Sequence, residues 1–254
     1  MTIAIINQKG GVGKSTTAHA IGAGLSLRGH SVLYVDLDAQ GNLSYTLDAD
    51  STGLTGMSAL EVLEGRTEPQ KAIQHTAQGD IIASSPALSG ADTVLTAVGK
   101  EYRLREALEA LKGKYDYIVI DTPPALGILT INALTACHGC IIPAQADIYS
   151  LHGINQLYNS IQTVRKYCNP SLQVYGILLT RYNSRAVISR EVAEMLEQTA
   201  GQLHSKLYNS RIRECTALKE AQALKQDIYT YAPRSNASSD YKALIDELIE
   251  ETRP

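Results

Sequence analysis

Residues 7–16 read Asn7-Gln8-Lys9-Gly10-Gly11-Val12-Gly13-Lys14-Ser15-Thr16. Three glycines between two lysines let successive backbone N–H groups converge on an anion without Cβ clashes, and a helix starting there adds favourable partial positive charge. Such a loop cradles phosphate through Lys9, Gly10, Gly11, Val12, Gly13, Lys14, Ser15 and Thr16. In it Lys14 reaches β and γ phosphates and the Ser15 hydroxyl ligates Mg²⁺. The common spacing G-x-x-x-x-G-K-[ST] is not met, because Gln8 stands where its first glycine belongs. Further on, an apolar run ends in Asp36-Leu37-Asp38-Ala39-Gln40-Gly41-Asn42. Carboxylates at i and i+2 project from one side of an extended chain, so both can face the same site. Another acid closes Tyr117-Ile118-Val119-Ile120-Asp121. Mg²⁺ takes one or two carboxylates and keeps several waters, so Asp121 is expected to hold a metal-bound water. Thr122-Pro123-Pro124 then makes a stiff turn able to respond to a γ phosphate.

These groups need elements that bring them to one edge. Short β-rich runs occur at 2–6, 31–35, 80–83, 115–120, 139–142 and 173–180, and helix-like patterns at 15–28, 102–112, 126–136, 151–167 and 189–199. That alternation predicts an α/β fold: a single domain with a mostly parallel, twisted sheet covered by helices on both faces. Runs 3–6 and 118–120 are apolar throughout, as strands covered on both faces should be. Segment 48–66, rich in Gly, Ser and Thr, is expected to be a loop with one short helix.

The chain has 254 residues, a net charge of -3, 44% hydrophobic and 19% charged residues. A domain of this size buries roughly 70–75% of its unfolded surface and folds without disulfide or metal, so the 4 Cys read as reduced thiols. With 14 Tyr and neither Phe nor Trp, the core is expected to be aliphatic with tyrosines at its edges. The sequence shows neither a signal-peptide pattern nor an apolar run long enough to span a bilayer.

The stretch Lys9-Gly10-Gly11-Val12-Gly13-Lys14-Ser15 resembles the deviant Walker A motif of the ParA/MinD superfamily of P-loop ATPases. Residues 36–42 resemble its A' motif and 117–121 its Walker B motif. Segments 83–89, 126–136, 141–145 and 149–157 look like their counterparts in ParA and Soj proteins. The resemblance implies ATP and Mg²⁺ as cofactors and a catalytic set of Lys9, Lys14 and Asp38, with Ser15, Asp36 and Asp121 at the metal. In that family the lysine matching Lys9 reaches across a dimer interface to the partner's nucleotide, and the acid matching Asp38 orients the attacking water. ParA-type proteins form ATP-dependent sandwich dimers, bind DNA non-specifically and release it when a ParB-type centromere-binding partner stimulates slow hydrolysis. The resemblance therefore implies a DNA-partition ATPase, cytoplasmic and nucleoid-associated. It spans residues 1–254 as one ATPase domain, with no N-terminal helix-turn-helix domain expected.

The alternative is a MinD-like membrane-associated or other cargo-positioning ATPase. Tyr241, Leu244, Ile245, Leu248 and Ile249 form an apolar stripe, but Asp246, Glu247, Glu250 and Glu251 flank it. Anionic lipid would repel such a helix, so it is expected to pack on the domain, with no membrane partner. Cys137-His138-Gly139-Cys140 suggests metal ligation but falls at an apolar strand start. Residues 1–149 carry 10 basic and 15 acidic groups, and the remainder 13 and 11. Within 181–225 the basic residues outnumber five glutamates, so Arg185, Arg211, Arg213, Lys219 and Lys225 are candidate DNA contacts. Arg185 matches a family position associated with DNA. Residues 213–222 depart from the family's usual arginine-containing segment and leave the adenine contacts open.

Overall fold

The computed structural model describes residues 1–202 and 204–252, with Ile148, His152 and Gln202 described by backbone alone. Seven strands form one sheet: β1 (Thr2–Ile5), β2 (Val32–Asp36), β3 (Ile73–Thr76), β4 (Gly79–Ile82), β5 (Tyr117–Asp121), β6 (Gly139–Gln145) and β7 (Gln173–Thr180). Their order is β3-β4-β2-β5-β1-β6-β7. Every neighbouring pair is parallel except β3 with β4. The parallel α/β expectation holds. Edge strand β3 was not read from the sequence, because Gln74 and His75 break the apolar pattern and only pairing with β4 defines it.

Side chains alternate between two cores. Ala4, Leu33, Val35, Ile120 and Ile142 face the Ala59–Glu64, Arg103–Glu109, Ile128–Ala136, Ile148–Tyr167 and Val187–Gln202 helices. Ile3, Ile5, Tyr34, Val119 and Ile141 face the Lys14–Ser26, Thr216–Ala223 and Asn236–Thr252 helices. Both faces of the central strands are covered, which is why these strands read as continuous apolar runs. The one short helix expected in 48–66 is Ala59–Glu64, started by a capping box in which the Ser58 N–H donates to the Glu61 carboxylate.

The tyrosines are not confined to the edges. Tyr34, Tyr208 and Tyr241 are among the largest fully buried side chains. Burial is possible because the hydroxyls find partners: Tyr208 donates to Glu251 Oε2 at 3.4 Å, Tyr34 to the His19 carbonyl at 3.3 Å and the likewise buried Tyr229 to the Ala20 carbonyl at 2.9 Å, while Tyr241 meets Thr17 Oγ1 at 3.1 Å. The partners of Tyr34, Tyr229 and Tyr241 lie on the Lys14–Ser26 helix, so these three tyrosines brace the helix that follows the phosphate loop. Glycine makes room for the rings. A Cβ at Gly22 would lie 2.2 Å from Tyr34 Cε1, and one at Gly24 would lie 2.1 Å from Ile245 Cδ1.

The Asn236–Thr252 helix packs as expected, with Tyr241, Leu244, Ile245 and Leu248 buried. Its acids act as clamps. Asp246 pairs with Arg28 at 2.5 Å, Asp240 with Arg213 at 2.6 Å and Glu251 with Lys206 at 3.0 Å, while Glu247 accepts from the Asn209 and Ser210 N–H groups. Among the described residues, no helix is long and apolar enough to cross a membrane.

Replacing Gly22 tests the glycine–tyrosine packing. Helix propensity alone favours alanine by about 0.8–1 kcal/mol, whereas overpacking costs about 1–3 kcal/mol. Gly22→Ala should lower unfolding free energy by about 1 kcal/mol in urea titrations; a stabilised variant would show that the Tyr34 ring moves aside freely.

Candidate active site

The strand order sets the site. β1 lies between β5 and β6, and β5 between β2 and β1, so the loops leaving β1, β2 and β5 emerge side by side at the carboxyl edge. In register, Ile5 faces Asp121 and Asp36 faces Asp121.

The loop after β1 needs left-handed backbone at Gly11 (φ 73°) and Gly13 (φ 89°). It is held from outside. Asn7 donates to the Pro143 carbonyl at 2.6 Å and accepts from the Lys9 N–H at 2.9 Å. Thr180, at the end of β7, donates to the Val12 carbonyl at 2.8 Å, and Gln145 donates to the Gly11 carbonyl at 3.2 Å. No side chain caps the Lys14–Ser26 helix and its first turn has no acid. Its amino-terminal N–H groups can therefore meet an anion.

Lys14 is buried, and its Nζ lies 3.4 Å from the Lys9 carbonyl, a long contact. Burial pulls its pKa down, against Asp121 and Asp38, which raise it. Lys9 instead forms a 2.5 Å salt bridge with Asp147, the residue that caps the Ile148–Tyr167 helix. Burial would raise the Asp147 carboxyl, but Lys9 and the Ser150 N–H reverse this and hold it below the usual range.

The acids have contrasting environments. Asp36 is fully buried and satisfied: its Oδ1 accepts from the Asp38 N–H at 3.1 Å, and its Oδ2 from the Ser44 N–H at 2.9 Å and hydroxyl at 2.7 Å. Burial still pushes its pKa up to about 6, despite those donors. Asp121 is fully buried and neither oxygen has a hydrogen-bond partner. Desolvation and then Asp36 push its carboxyl well above the ordinary range; the nearby Ser15 hydroxyl and Lys14 favour its charge without closing a hydrogen bond. Asp38 accepts from the Gln40 N–H at 3.0 Å and lines a cleft of about 500 Å³ with Gly10, Gly11, Gly13, Lys14, Ser15 and Thr16.

A family model described as an AAA domain matches residues 1–174. Sporulation initiation inhibitor protein Soj of Bacillus subtilis is 38% identical, over 97% of this chain and 97% of its own length. Chromosome partitioning protein ParA of Myxococcus xanthus is 36% identical, over 99% of this chain and 89% of its own. The chain belongs to the Soj/ParA family of P-loop ATPases. A solved structure titled cobyrinic acid a,c-diamide synthase from Mycobacterium smegmatis, with bound ADP and magnesium, is 34% identical with a TM-score of 0.85 over 98% of this chain and 94% of that one. Cyanothece apo McdA, 24% identical, shares the fold with a TM-score of 0.88 over 97% of this chain and 98% of that one.

This Soj/ParA chain brings Gly10, Gly11, Gly13, Lys14, Ser15, Thr16 and Asp38 to one cleft, whereas Lys9 turns to Asp147, Val12 is fully buried, and the buried Asp36 and Asp121 do not line it. Several lining residues were missed in the sequence. Arg181 (φ 49°) follows β7, and Gln222 donates to Thr16 Oγ1 at 2.8 Å, tying the Thr216–Ala223 helix to the loop. A position just past a parallel strand's carboxyl end would have flagged Arg181; nothing local flags Gln222. The basic candidates differ in their engagement. Residues 182 and 213 are bridged, and the Arg211 guanidinium stacks 4.7 Å from the Tyr182 ring centre and donates to its hydroxyl at 2.7 Å. Arg185 and Lys219 are exposed. Two candidates are already neutralised: Arg213 grips Asp240, and Lys225 is paired with Asp48 on the Tyr45 side of the cleft. Cys137 and Cys140 pack in the core, where burial pushes the Cys140 thiol up to about 12.

Because burial raises the folded-state pKa of both Asp36 and Asp121, the folded protein holds their protons more tightly than the unfolded chain. Their contribution to stability is fully present below about pH 4 and lost as pH rises, through about 6 for Asp36. Asp121→Asn in nucleotide-free protein should therefore gain about 1–3 kcal/mol at pH 8 and little at pH 4, judged by urea unfolding. No gain at pH 8 would mean that Lys14 already compensates the charge.

Proposed function

We propose that the chain is a DNA-partition ATPase: its ATP-bound form is a sandwich dimer that binds DNA non-specifically, and hydrolysis stimulated by a ParB-type partner releases it. The observation that carries the reading is the convergence of a lysine-rich, clamped phosphate loop with a bare buried carboxylate at Asp121 and a cleft-lining one at Asp38. Family membership with Soj and ParA over nearly the whole chain supports the cargo.

The residues fit Mg²⁺. Asp121 is an orphaned acid beside the Ser15 hydroxyl, a hard-oxygen pair suited to this ion and its retained waters. Ser15 and Asp121 hold the metal shell and Asp36 supports it from behind. Bound there, Mg²⁺ neutralises charge developing on the β and γ phosphates. Lys14 contacts those phosphates, the loop N–H groups and helix terminus orient them, and Asp38 holds the attacking water. Lys9 contacts the nucleotide of the partner subunit, which requires it to leave Asp147. Phosphoryl transfer needs mainly positioning and charge compensation, so one carboxylate and one water sustain slow turnover.

Arg185, Arg211 and Lys219 form the DNA-facing set, Arg213 and Lys225 being paired within the chain. Dimerisation doubles such phosphate contacts, so a weak patch on one protomer becomes a usable surface only with ATP. Association with the nucleoid follows.

Lys14→Ala should abolish nucleotide binding, measured by equilibrium titration with a fluorescent ATP analogue. Asp38→Ala should bind ATP, dimerise and stay on DNA while losing hydrolysis; wild-type turnover in that variant would refute the water assignment. For the DNA surface, Arg185→Glu and Arg211→Glu should each weaken ATP-dependent DNA retention and reduce the salt slope by about 1. Unchanged retention and slope in both variants would remove this patch.

A further inference from the structure

Asp38 is gripped through its main chain as well as its side chain. Its N–H donates to Asp36 Oδ1 at 3.1 Å, and its carbonyl accepts from the Ser84 hydroxyl at 2.5 Å. The Ser84 N–H donates to Ser44 Oγ at 2.9 Å, and the Ser44 hydroxyl donates to Asp36 Oδ2 at 2.7 Å. These four bonds close a ring through Asp36, Asp38, Ser84 and Ser44. The ring joins the end of β2, the Asn42–Thr46 helix and the chain leaving β4, and all four residues are buried. Parallel pairing of β2 with β4, with Val35 opposite Ile82, brings Ser84 to this point.

We propose that Ser84 is a positioning residue for ATP hydrolysis, fixing the main chain from which the Asp38 carboxylate enters the cleft. The proposal rests on the water-holding role given to Asp38 above. Satisfaction of the carbonyl does not require the serine. The Asp38 carbonyl already accepts from the Gly41 N–H at 2.8 Å, so an alanine at 84 leaves no buried acceptor without a partner. What the second bond adds is direction: a carbonyl held from two sides cannot rotate its peptide plane, and the i to i+2 bond from the Gln40 N–H to Asp38 Oδ1 then sets the carboxylate. A water-holding group is sensitive to such placement, since a displacement of about 1 Å costs about 100-fold in rate. Ser44 supports the same ring one bond further away.

Ser84→Ala should lower kcat about tenfold or more, with KM for ATP and fluorescent-nucleotide affinity within about twofold of wild type. In nucleotide-free protein, hydrogen exchange at the Gln40 and Gly41 amides should speed up while the sheet amides keep their protection. Ser44→Ala should give the same split. In an Asp38→Ala background, Ser84→Ala should change the residual rate no further, because a residue acting through Asp38 has nothing left to act on. Unchanged kcat or unchanged exchange in Ser84→Ala, or an undiminished loss in the Asp38→Ala background, would overturn the proposal. Wild-type turnover by Asp38→Ala alone identifies the other failure, that of the water assignment itself.

Discussion

Two carboxyl groups in register on adjacent strands, Asp36 and Asp121, are buried and, among the described residues, form no salt bridge, and the fold must offset the cost of keeping them there. Desolvation raises both; Asp38 adds to the rise of Asp36, and Asp36 to that of Asp121. The chain treats them differently. Asp36 is surrounded by donors that belong to its own loop, so it serves as an anchor for the residues around Asp38. Asp121 receives no donor, and Lys14 beside it is itself shifted down by burial. A site with a buried, unpartnered carboxyl group at its floor and a buried lysine at its wall favours whatever brings a divalent cation and phosphate together. Free energy withheld in the empty fold becomes binding energy for the loaded one.

That arrangement depends on rigid surroundings, which come from both faces of the sheet. On one face, buried tyrosines hydrogen-bond to the backbone and hydroxyl groups of the Lys14–Ser26 helix, and glycines at 22 and 24 let it sit close to the sheet and the C-terminal helix. At the edge, Asn7, Thr180 and Gln145 hold the loop by bonds to or from two neighbouring strands, β6 and β7. The loop is thus over-determined before ligand arrives, and little ordering entropy remains to be lost on binding.

The contact between Lys9 and Asp147 connects this local chemistry to assembly. Both side chains are one-third exposed, so the pair lies at the surface and its attraction is screened. A weak bond of this kind keeps the lysine ordered without opposing its transfer to a stronger, less solvated partner. In the proposed sandwich dimer, the nucleotide bound by the other protomer supplies such a partner, and that proposal links occupancy of one cleft to association of two chains.

The phosphate loop and the acids at 36, 38 and 121 were legible in the sequence because each is defined within one segment: glycine spacing sets a turn, and an apolar run ending in an acid marks a strand's carboxyl end. The two covered faces were legible for the same reason, as continuous apolar strands. What the sequence left out concerns partners brought from elsewhere in the chain. It did not separate the satisfied Asp36 from the bare Asp121, because the donors at Ser44 and the neighbouring register are set by strand order. It placed tyrosines at the core edges, because the backbone carbonyls that accept their hydroxyls appear only after packing. It grouped Arg213 and Lys225 with a DNA surface, because Asp240 and Asp48 lie far off in sequence and meet them only in the folded chain. Spacing along one segment decides what chemistry is available; the sheet's order decides which charges are left unpaired to perform it.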